Sequence, residues 1–291
     1  MRPTGRRAAI AGAALAMGAL GVAGCGGSEG RRPDAVERMD TGKRPQHIHG
    51  VGVDPADGSV LLATHGGLFA APAGERQARR VGRVRQDMMG FTVVGPGRFL
   101  ASEHPAISQR EQGPMSGLIA SDDAGRRWRT LALGGVADFH VLRAAGRRVY
   151  GVVGNGELML SRDGGRGWRH RTASAQLMDL VIAPRDLQRL VASTPAAVLA
   201  SGDEGATWEK VAVRRGGLLA WPRPDALYLI DAQGRLDLSS DRRRSWVRRG
   251  VLPGRVAALA THGDDLYVAL EDGRVTSSSD GGLSWRTRLD A

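Results

Sequence analysis

The octapeptide Ser161-Arg-Asp-Gly-Gly-Arg-Gly-Trp168 recurs four more times in this chain of 291 residues, and the recurrence decides the fold. The other copies run from Ser121 to Trp128, Ser201 to Trp208, Ser239 to Trp246 and Ser278 to Trp285. Successive serines are therefore 40, 40, 38 and 39 residues apart. A period of about 40 residues is typical of β-propellers, in which each repeat forms one four-stranded blade.

We call this octapeptide the box motif, and its recurring residue types suit a tight turn between two strands. The serine and the aspartate, two residues apart, are expected to accept hydrogen bonds from the amides of the turn. The glycine supplies a left-handed backbone conformation, and the tryptophan covers the hairpin with apolar area. The residues assigned this role are Ser121, Asp123, Gly125, Trp128, Ser161, Asp163, Gly165, Trp168, Ser201, Asp203, Gly205, Trp208, Asp241, Trp246, Ser278, Asp280, Gly282 and Trp285. In the fourth copy Arg243 replaces the glycine, which predicts a strained or reshaped turn.

Two further repeat units precede the first box motif. Residues 47–84 form one unit, which has lost the box motif and carries Gly67-Leu-Phe-Ala-Ala71 in place of a box strand. Residues 87–131 form the other, with an insertion at residues 105–115 between the second and third strands. Alternating apolar residues separated by Gly or Asp turns predict strands throughout. We therefore expect an all-β fold, in which residues 46–291 form a six-bladed β-propeller.

The N-terminus has the composition of an export signal. Residues 1–7 are basic, and residues 8–23 form an apolar run that is short for a membrane span. The run ends in Val22-Ala23-Gly24-Cys25, which resembles the bacterial lipobox, and Cys25 is the only cysteine of the chain. We expect residues 1–24 to be a signal peptide, Cys25 to carry lipid and residues 25–45 to form a flexible tether. The predicted location is the outer side of the cytoplasmic membrane or the cell envelope.

The chain is strongly basic, with a net charge of +11 and a pI near 11.1. Such a balance is compatible with nucleic acid or an anionic surface as partner. The arginines are scattered through turns and outer strands, however, and form no stripe interleaved with aromatic residues, so we expect no nucleic-acid binding. Attraction to anionic lipid headgroups or envelope glycans stays open, and the propeller is expected to be a monomeric domain.

Histidines and methionines are predicted to converge on one face of blades 1 to 3. They stand just before inner strands, at the ends of second strands or in the insertion, and these positions share one end of a propeller. The set consists of His47, His49, His65, His104, His140, Met88, Met89 and Met115. His47 and His49 are two residues apart on an extended segment, so both rings leave the same side.

Imidazole nitrogens and thioether sulfurs are ligands of transition metals. Imidazole suits zinc, copper, iron or nickel, and added thioethers shift the preference toward copper. The set therefore predicts binding of copper or zinc, with copper favoured, or of a small polar ligand. Asp87 and Glu103 are expected to orient the imidazoles by hydrogen bonding. For any single member, filling of core space or bonding to a backbone carbonyl is the alternative explanation.

Four stretches resemble a family of exported bacterial propellers with Asp-box repeats, also called BNR repeats, whose members are commonly labelled glycosyl hydrolase or sialidase-like. They are His47-Ile-His-Gly-Val-Gly-Val-Asp-Pro55, Thr64-His-Gly-Gly-Leu-Phe69, residues 87–105 and Ala137-Asp-Phe-His140. The box motif itself also resembles those of sortilin-type receptors and photosystem assembly factors. The label implies carbohydrate chemistry, although a shared fold is compatible with unrelated functions.

Two other functions stay open at this point. A sialidase needs a tyrosine nucleophile, but Tyr150, Tyr228 and Tyr267 occupy one equivalent strand position, which indicates packing. A glycosidase with two carboxylates is compatible with Asp87 and Glu103 as its acid and base. A docking platform for an envelope protein needs exposed apolar residues, for which Phe139 and the insertion are the candidates.

Overall fold

The computed structural model describes residues 47–83, 85, 87–104, 117–171, 175–213, 216–240 and 245–290. The described part of the chain contains no helix able to span a membrane. Its 24 strands are β1 (Ile48–Val53), β2 (Val60–Thr64), β3 (Gly67–Ala71), β4 (Arg79–Arg80), β5 (Asp87–Gly95), β6 (Arg98–His104), β7 (Leu118–Ser121), β8 (Arg129–Ala132), β9 (Phe139–Ala145), β10 (Arg148–Val153), β11 (Leu158–Ser161), β12 (Arg169–Arg171), β13 (Asp179–Ala183), β14 (Asp186–Ser193), β15 (Ala197–Ser201), β16 (Glu209–Val213), β17 (Leu218–Arg223), β18 (Ala226–Ile230), β19 (Arg235–Ser239), β20 (Val247–Val251), β21 (Val256–His262), β22 (Asp265–Leu270), β23 (Val275–Ser278) and β24 (Arg286–Leu289).

Each run of four consecutive strands forms one antiparallel sheet in chain order, beginning with β1 to β4 as blade 1 and ending with β21 to β24 as blade 6. The prediction of a six-bladed, all-β propeller is confirmed. The predicted signal peptide, Cys25 and the tether lie outside the described residues. So do the insertion with Met115, and Asp241 and Arg243 of the fourth box motif.

Blade 1 and blade 6 are joined by side-chain packing, because each described sheet is built from one continuous stretch of chain. Val51 and Phe69 of blade 1 share an apolar cluster with Tyr267 and Leu289 of blade 6. The cluster is extended at the rim, where the amide of Asp290 donates to the carbonyl of Arg76 at 3.0 Å. The Arg76 guanidinium also pairs with the Asp290 carboxylate, with Nε to Oδ2 at 2.8 Å.

The box motifs form the predicted turns. In blade 3, Ser161 Oγ accepts a hydrogen bond from the Gly165 amide at 2.8 Å, and Asp163 Oδ1 accepts one from the Gly167 amide at 2.8 Å. Trp168 Nε1 donates to the carbonyl of Gly165 at 2.8 Å. The serine and aspartate contacts recur in blades 2, 4 and 6, and the tryptophan contact recurs in blades 2 and 4.

The glycine of each described box motif is seated against a leucine of the preceding blade. Gly125, Gly165, Gly205 and Gly282 have φ between +80° and +95°. A Cβ placed on any of them would lie only 2.1 to 2.5 Å from a leucine Cδ2 atom. The four leucines are Leu68, Leu118, Leu158 and Leu236, each on the third strand of the blade before. The box motif thus closes its own turn and receives a side chain from its neighbour.

The two blades that lack this leucine precede the two units that lack a box glycine. Blade 4 has Val198 at the equivalent position of its third strand, and the box motif of blade 5 has Arg243 instead of glycine. Blade 6 has Val275, and blade 1, which it meets, has no box motif. The third strand of a blade therefore carries this leucine only where the box motif of the next blade has its glycine. This is the pattern expected if the leucine and the glycine pack as a pair.

The box motifs share one end of the propeller with the turns between first and second strands. Box amides donate to carbonyls in or just after those turns in three blades, namely Ala124 to Gly97, Gly164 to Arg147 and Glu204 to Gln188 near the start of β14, at 2.8 to 2.9 Å. Strands alternate in direction along each blade. The starts of inner strands and the ends of second strands therefore lie at the opposite end, where the histidines were predicted to converge.

Gly165→Ala tests the contact between blades. The new methyl group has to adopt a left-handed backbone conformation and also overlaps Leu118 Cδ2. We expect a loss of roughly 2 to 5 kcal/mol in the free energy of unfolding, measured by urea denaturation. Gly74→Ala is the control, because Gly74 has φ +87° with open space around it, and should cost only about 1 to 2 kcal/mol.

Adding Leu118→Ala to Gly165→Ala removes the overlapping methyl group. If the packing contact is the cause, the double variant loses less stability than the sum of the two single variants. Strict additivity would show that backbone strain alone explains the effect.

Candidate metal centre

Four inner strands carry a β-bulge at the same place near their starts. The pairing register slips between Ile48 and Gly50 in β1, and equivalent slips occur in β5, β9 and β21. The residues within these slips include His49, Met89, His140 and Ala257. A bulge breaks the regular alternation of side chains and re-aims the extra residue. All four residues line one cavity that is bounded by the inner strands of all six blades.

His49, His65 and Asp87 form the centre of the candidate site. Asp87 Oδ2 lies 2.6 Å from His65 Nδ1, and Asp87 Oδ1 lies 3.3 Å from His49 Nε2. One ligand atom from each residue lies within 4.8 Å of the other two. His49 comes from β1, His65 from the turn after β2, and Asp87 from the start of β5. The site therefore joins blade 1 to blade 2.

The turn that carries His65 is held by its own hydrogen bonds. Thr64 Oγ1 donates to the carbonyl of Gly67 and accepts from the amide of Gly66, both at 3.0 Å. The amide of His65 donates to the carbonyl of His47 at 3.2 Å. These contacts fix the backbone on both sides of His65 and so hold its Cα at the candidate site.

His47 adds a third imidazole beside the centre. Its ring centroid lies 5.2 Å from that of His65 and 6.3 Å from that of His49. The His49 and His65 rings are 4.6 Å apart and nearly perpendicular. His47 is exposed, whereas the His49 side chain is only 18% exposed. The three histidines therefore range from the rim of the propeller to the mouth of the cavity.

Asp87 is held as a carboxylate by its neighbours. Burial by itself would raise the pKa of Asp87, but the hydrogen bonds and positive charge of His49 and His65 outweigh burial and hold this pKa below its usual value. The facing atom, His49 Nε2, is shielded from solvent, and its contact with Asp87 Oδ1 is long and poorly directed. An ionised carboxylate beside such a nitrogen is a suitable start for metal coordination.

His140 forms a second histidine–carboxylate pair, from blade 3. His140 Nε2 lies 2.9 Å from Asp138 Oδ2. The hydrogen bond that His140 donates to Asp138 raises the pKa of His140 above its usual value, against the lowering effect of burial, and the charges of Asp138 and Asp87 add to the increase. Asp87 thus acts on imidazoles of both neighbouring blades.

The cavity has a volume of about 210 Å³, and an ion pair forms part of its wall. Arg143 Nη2 donates to Asp179 Oδ1 at 2.7 Å. Asp179 is fully buried and also accepts hydrogen bonds from the backbone amides of Leu180 and Leu219, each at 2.8 Å. Burial raises the pKa of Asp179, while Arg143 and the two amides act against burial. Arg143 lines both this cavity and a second one further along the axis.

Two predicted surface residues lie in the core. Met88 is fully buried in a cluster with Leu61 and Phe91, so it is not available as a soft ligand. Successive strand residues point to opposite faces, and Met88 turns inward between Asp87 and Met89. Phe139 is also fully buried, with its ring centroid 4.8 Å from that of Trp168, so it presents no docking surface.

For the other residues of the predicted site, the structure describes only burial and backbone pairing. Glu103 is buried and pairs with Met88 across β5 and β6. The backbone of His104 pairs with Asp87, but its side chain, like Met115, lies outside the described part. Their roles stay predictions. Sequence reasoning overlooked Arg143, and the available signal was an arginine within the apolar inner strand Phe139–Ala145.

Two imidazoles and one carboxylate with open positions form a recognised donor set. Catalytic zinc sites use three protein ligands and keep one position for water or another ligand, and non-haem iron sites use two histidines and one carboxylate. His49, His65 and Asp87 offer this set, and His47 offers a further nitrogen nearby. The fold and these residues together define a β-propeller with a candidate metal centre at one end of its axis.

Comparison with known proteins supports the fold and leaves the function open. No protein-family model and no curated protein matches the chain. Among solved structures, YCF48 bound to D1 peptide has a TM-score of 0.55 at 15% identity, covering 88% of this chain and 85% of that one. YCF48 from Cyanidioschyzon merolae has a TM-score of 0.51 at 14% identity, covering 88% and 86%. An ancestral GH74 enzyme has a TM-score of 0.53 at 13% identity, covering 87% of this chain and 40% of that enzyme.

The His140–Asp138 pair can be tested by NMR titration of the histidine side chains. We expect the pKa of His140 to lie above the usual histidine value, because Asp138 stabilises the protonated ring. Asp138→Asn should lower this pKa, since burial then acts without the opposing carboxylate. An unchanged His140 pKa in the variant would contradict the assigned contact.

Proposed function

We propose that this protein is an exported, lipid-anchored β-propeller that binds a divalent transition metal through His49, His65 and Asp87. The observation that carries the proposal is the convergence of one ligand atom from each residue within 4.8 Å. The three residues come from separate strands and turns of two blades, so chain proximity does not explain their meeting. His47 is the nearest further nitrogen ligand.

The described ligands favour zinc or Cu(II) over Cu(I). The preference for copper that the sequence predicted depended on methionine thioethers, and Met88 lies in the core. Met89, the remaining described methionine of the predicted ligand set, lines the neighbouring cavity. Imidazole and carboxylate ligands without a close thioether suit zinc, Cu(II) and iron. Zinc and copper are therefore the metals to test first.

A hydrolase is supported less well by the same residues. Asp87 contacts two histidines, Asp138 pairs with His140, and Asp179 is fully buried against Arg143. None of these three carboxylates is left to act as a free acid or base. Tyr150, Tyr228 and Tyr267 are buried, and burial raises the pKa of each, which disfavours a tyrosine nucleophile. The GH74 enzyme shares the fold at 13% identity, which does not transfer its chemistry.

The lipid anchor is supported by the sequence alone. The basic residues 1–7, the apolar run 8–23 and the lipobox-like Val22-Ala23-Gly24-Cys25 occur in the order that bacterial lipoprotein signals require. Lipid on Cys25 would hold the propeller at the membrane surface through residues 26–45. Metal binding would then take place outside the cytoplasm.

Metal binding is tested with full-length protein in detergent. Wild-type protein should bind one equivalent of zinc or copper, measured by isothermal titration calorimetry and elemental analysis. His49→Ala with His65→Ala should raise the dissociation constant by more than roughly 100-fold, because losing a mere orienting partner already costs about 10- to 100-fold. His170→Ala, a change at an exposed histidine away from the site, should leave the affinity unchanged.

Circular dichroism and thermal unfolding establish that the double variant is folded. A metal-free wild-type protein that also fails to bind added zinc and copper would overturn the metal function. Binding that survives in the folded double variant would show that the metal lies elsewhere.

Cys25→Ser tests the proposed anchor. The thiol is the acceptor of the lipid, so the variant should lose incorporation of radiolabelled palmitate in a bacterial host. It should also partition into the aqueous phase during Triton X-114 extraction, while wild-type protein partitions into detergent. Identical labelling and partitioning of the two proteins would contradict lipidation at Cys25.

A further inference from the structure

The axial cavity leads from the candidate metal centre to an arginine. Its lining includes His49 of the centre, the re-aimed His140, and Arg143 three residues further along β9. Its volume is about 210 Å³. The space is therefore suited to a ligand of a few heavy atoms.

Arg143 has hydrogen-bonding capacity that the described residues do not use. A guanidinium carries five N–H bonds. Nη1 donates to the carbonyl of Leu142 at 3.0 Å, and Nη2 donates to Asp179 at 2.7 Å. Three N–H bonds are left without an acceptor among the described residues. The side chain is 26% exposed and belongs to the cavity wall, so these donors are available to a ligand in the channel.

A bound metal would make the cavity positive. A divalent cation on His49, His65 and Asp87 carries a net charge of +1 after the carboxylate is counted. The Arg143–Asp179 pair is neutral as a unit, and the His140–Asp138 pair is likewise neutral while His140 is protonated, so the +1 of the metal centre remains. An anion that enters the cavity would offset this charge in a partly enclosed space, where electrostatic attraction is stronger than in water.

The other walls of the cavity are apolar. Val51, Phe91, Leu142 and Leu259 are the apolar side chains that line it. Inorganic phosphate has no group to place against such a surface. A short-chain carboxylate does, because its alkyl part contacts the apolar wall while its planar head matches a guanidinium.

We propose that the axial cavity binds a short-chain carboxylate, which coordinates the metal and accepts hydrogen bonds from Arg143 and His140. This proposal rests on the proposed metal function and names the chemical class of ligand that the same centre takes. His140 and Arg143 are about 10 Å apart along the strand at 3.3 Å per residue. The arginine side chain and a small ligand together cover this separation.

The test uses full-length protein loaded with Co²⁺, whose visible absorption reports on its ligands. Butyrate is titrated at constant ionic strength, and uncharged butyramide is titrated in parallel. Wild-type protein should show a saturable spectral change with butyrate and none with butyramide. His140→Gln should weaken butyrate binding by at least about threefold, and Arg143→Gln combined with Asp179→Asn by at least about tenfold, if one charge-assisted contact is worth roughly 1.5 kcal/mol or more.

The double variant removes both members of the buried pair, so no unpaired carboxylate is left in the core. Arg147→Gln is the matched control, because Arg147 is exposed at the box end of the propeller. It should bind butyrate like the wild type. Cobalt affinity and melting temperature, measured for every variant, separate loss of the anion from loss of the metal or of the fold.

Each result has one meaning. Cobalt binding without a butyrate response, or a response that both variants retain, overturns the carboxylate proposal and leaves the metal function intact. Failure of wild-type protein to bind cobalt, zinc and copper overturns both. A response that butyramide reproduces would show that the anionic head is not recognised, which also overturns the proposal.

Discussion

The seating of a leucine in the glycine turn of the next blade is the contact on which the ring depends. A blade by itself is a four-stranded sheet with two apolar faces, and it becomes stable only when neighbours cover both. Four of the six junctions between blades use the leucine–glycine pair, and the positive φ of the glycine makes the pair specific. Because the glycine also belongs to the hydrogen-bonded box turn, local turn chemistry and packing between blades reinforce each other.

The remaining junctions show how the ring tolerates exceptions. Where blade 6 meets blade 1, an apolar cluster and the Arg76–Asp290 pair replace the leucine–glycine contact. The candidate metal centre lies at the next junction, between blades 1 and 2. Its ligands can hold a fixed geometry only if the two blades are held rigidly, and the Leu68–Gly125 contact at the other end of this junction serves that purpose.

Function in a propeller is carried by the residues at the ends of its axis, since the frame is shared by unrelated proteins. YCF48 and an ancestral GH74 enzyme share this fold at 13 to 15% identity. In this chain the axis carries histidines, carboxylates and an arginine. The contacts that each carboxylate already makes decide whether it is available to a ligand. Asp87 is kept ionised by His49 and His65, whereas Asp179 is occupied by Arg143 and two amides.

The sequence by itself determined the fold and the end of the propeller at which the histidines meet. A period of about 40 residues, together with the strand pattern, is typical of a β-propeller. In that fold the positions before inner strands and after second strands lie at one end of the axis. This reasoning predicted His47, His49 and His65 at that end, with Asp87 as a residue that orients the imidazoles. The box turns were equally predictable, because each is closed by contacts within eight consecutive residues, such as those from Ser161 to Trp168.

Only the tertiary structure decided which neighbours face the channel and which face the core. Met88 and Met89 look alike in sequence, yet Met88 packs in the core and Met89 lines the cavity. The bulges that re-aim His49 and His140 have no sequence signature in this chain, since they arise from how one strand registers with the next. The ion pair between Arg143 and Asp179 crosses the boundary between two blades. The two residues are 36 positions apart in the chain, so their contact depends on where the complete ring places the two strands.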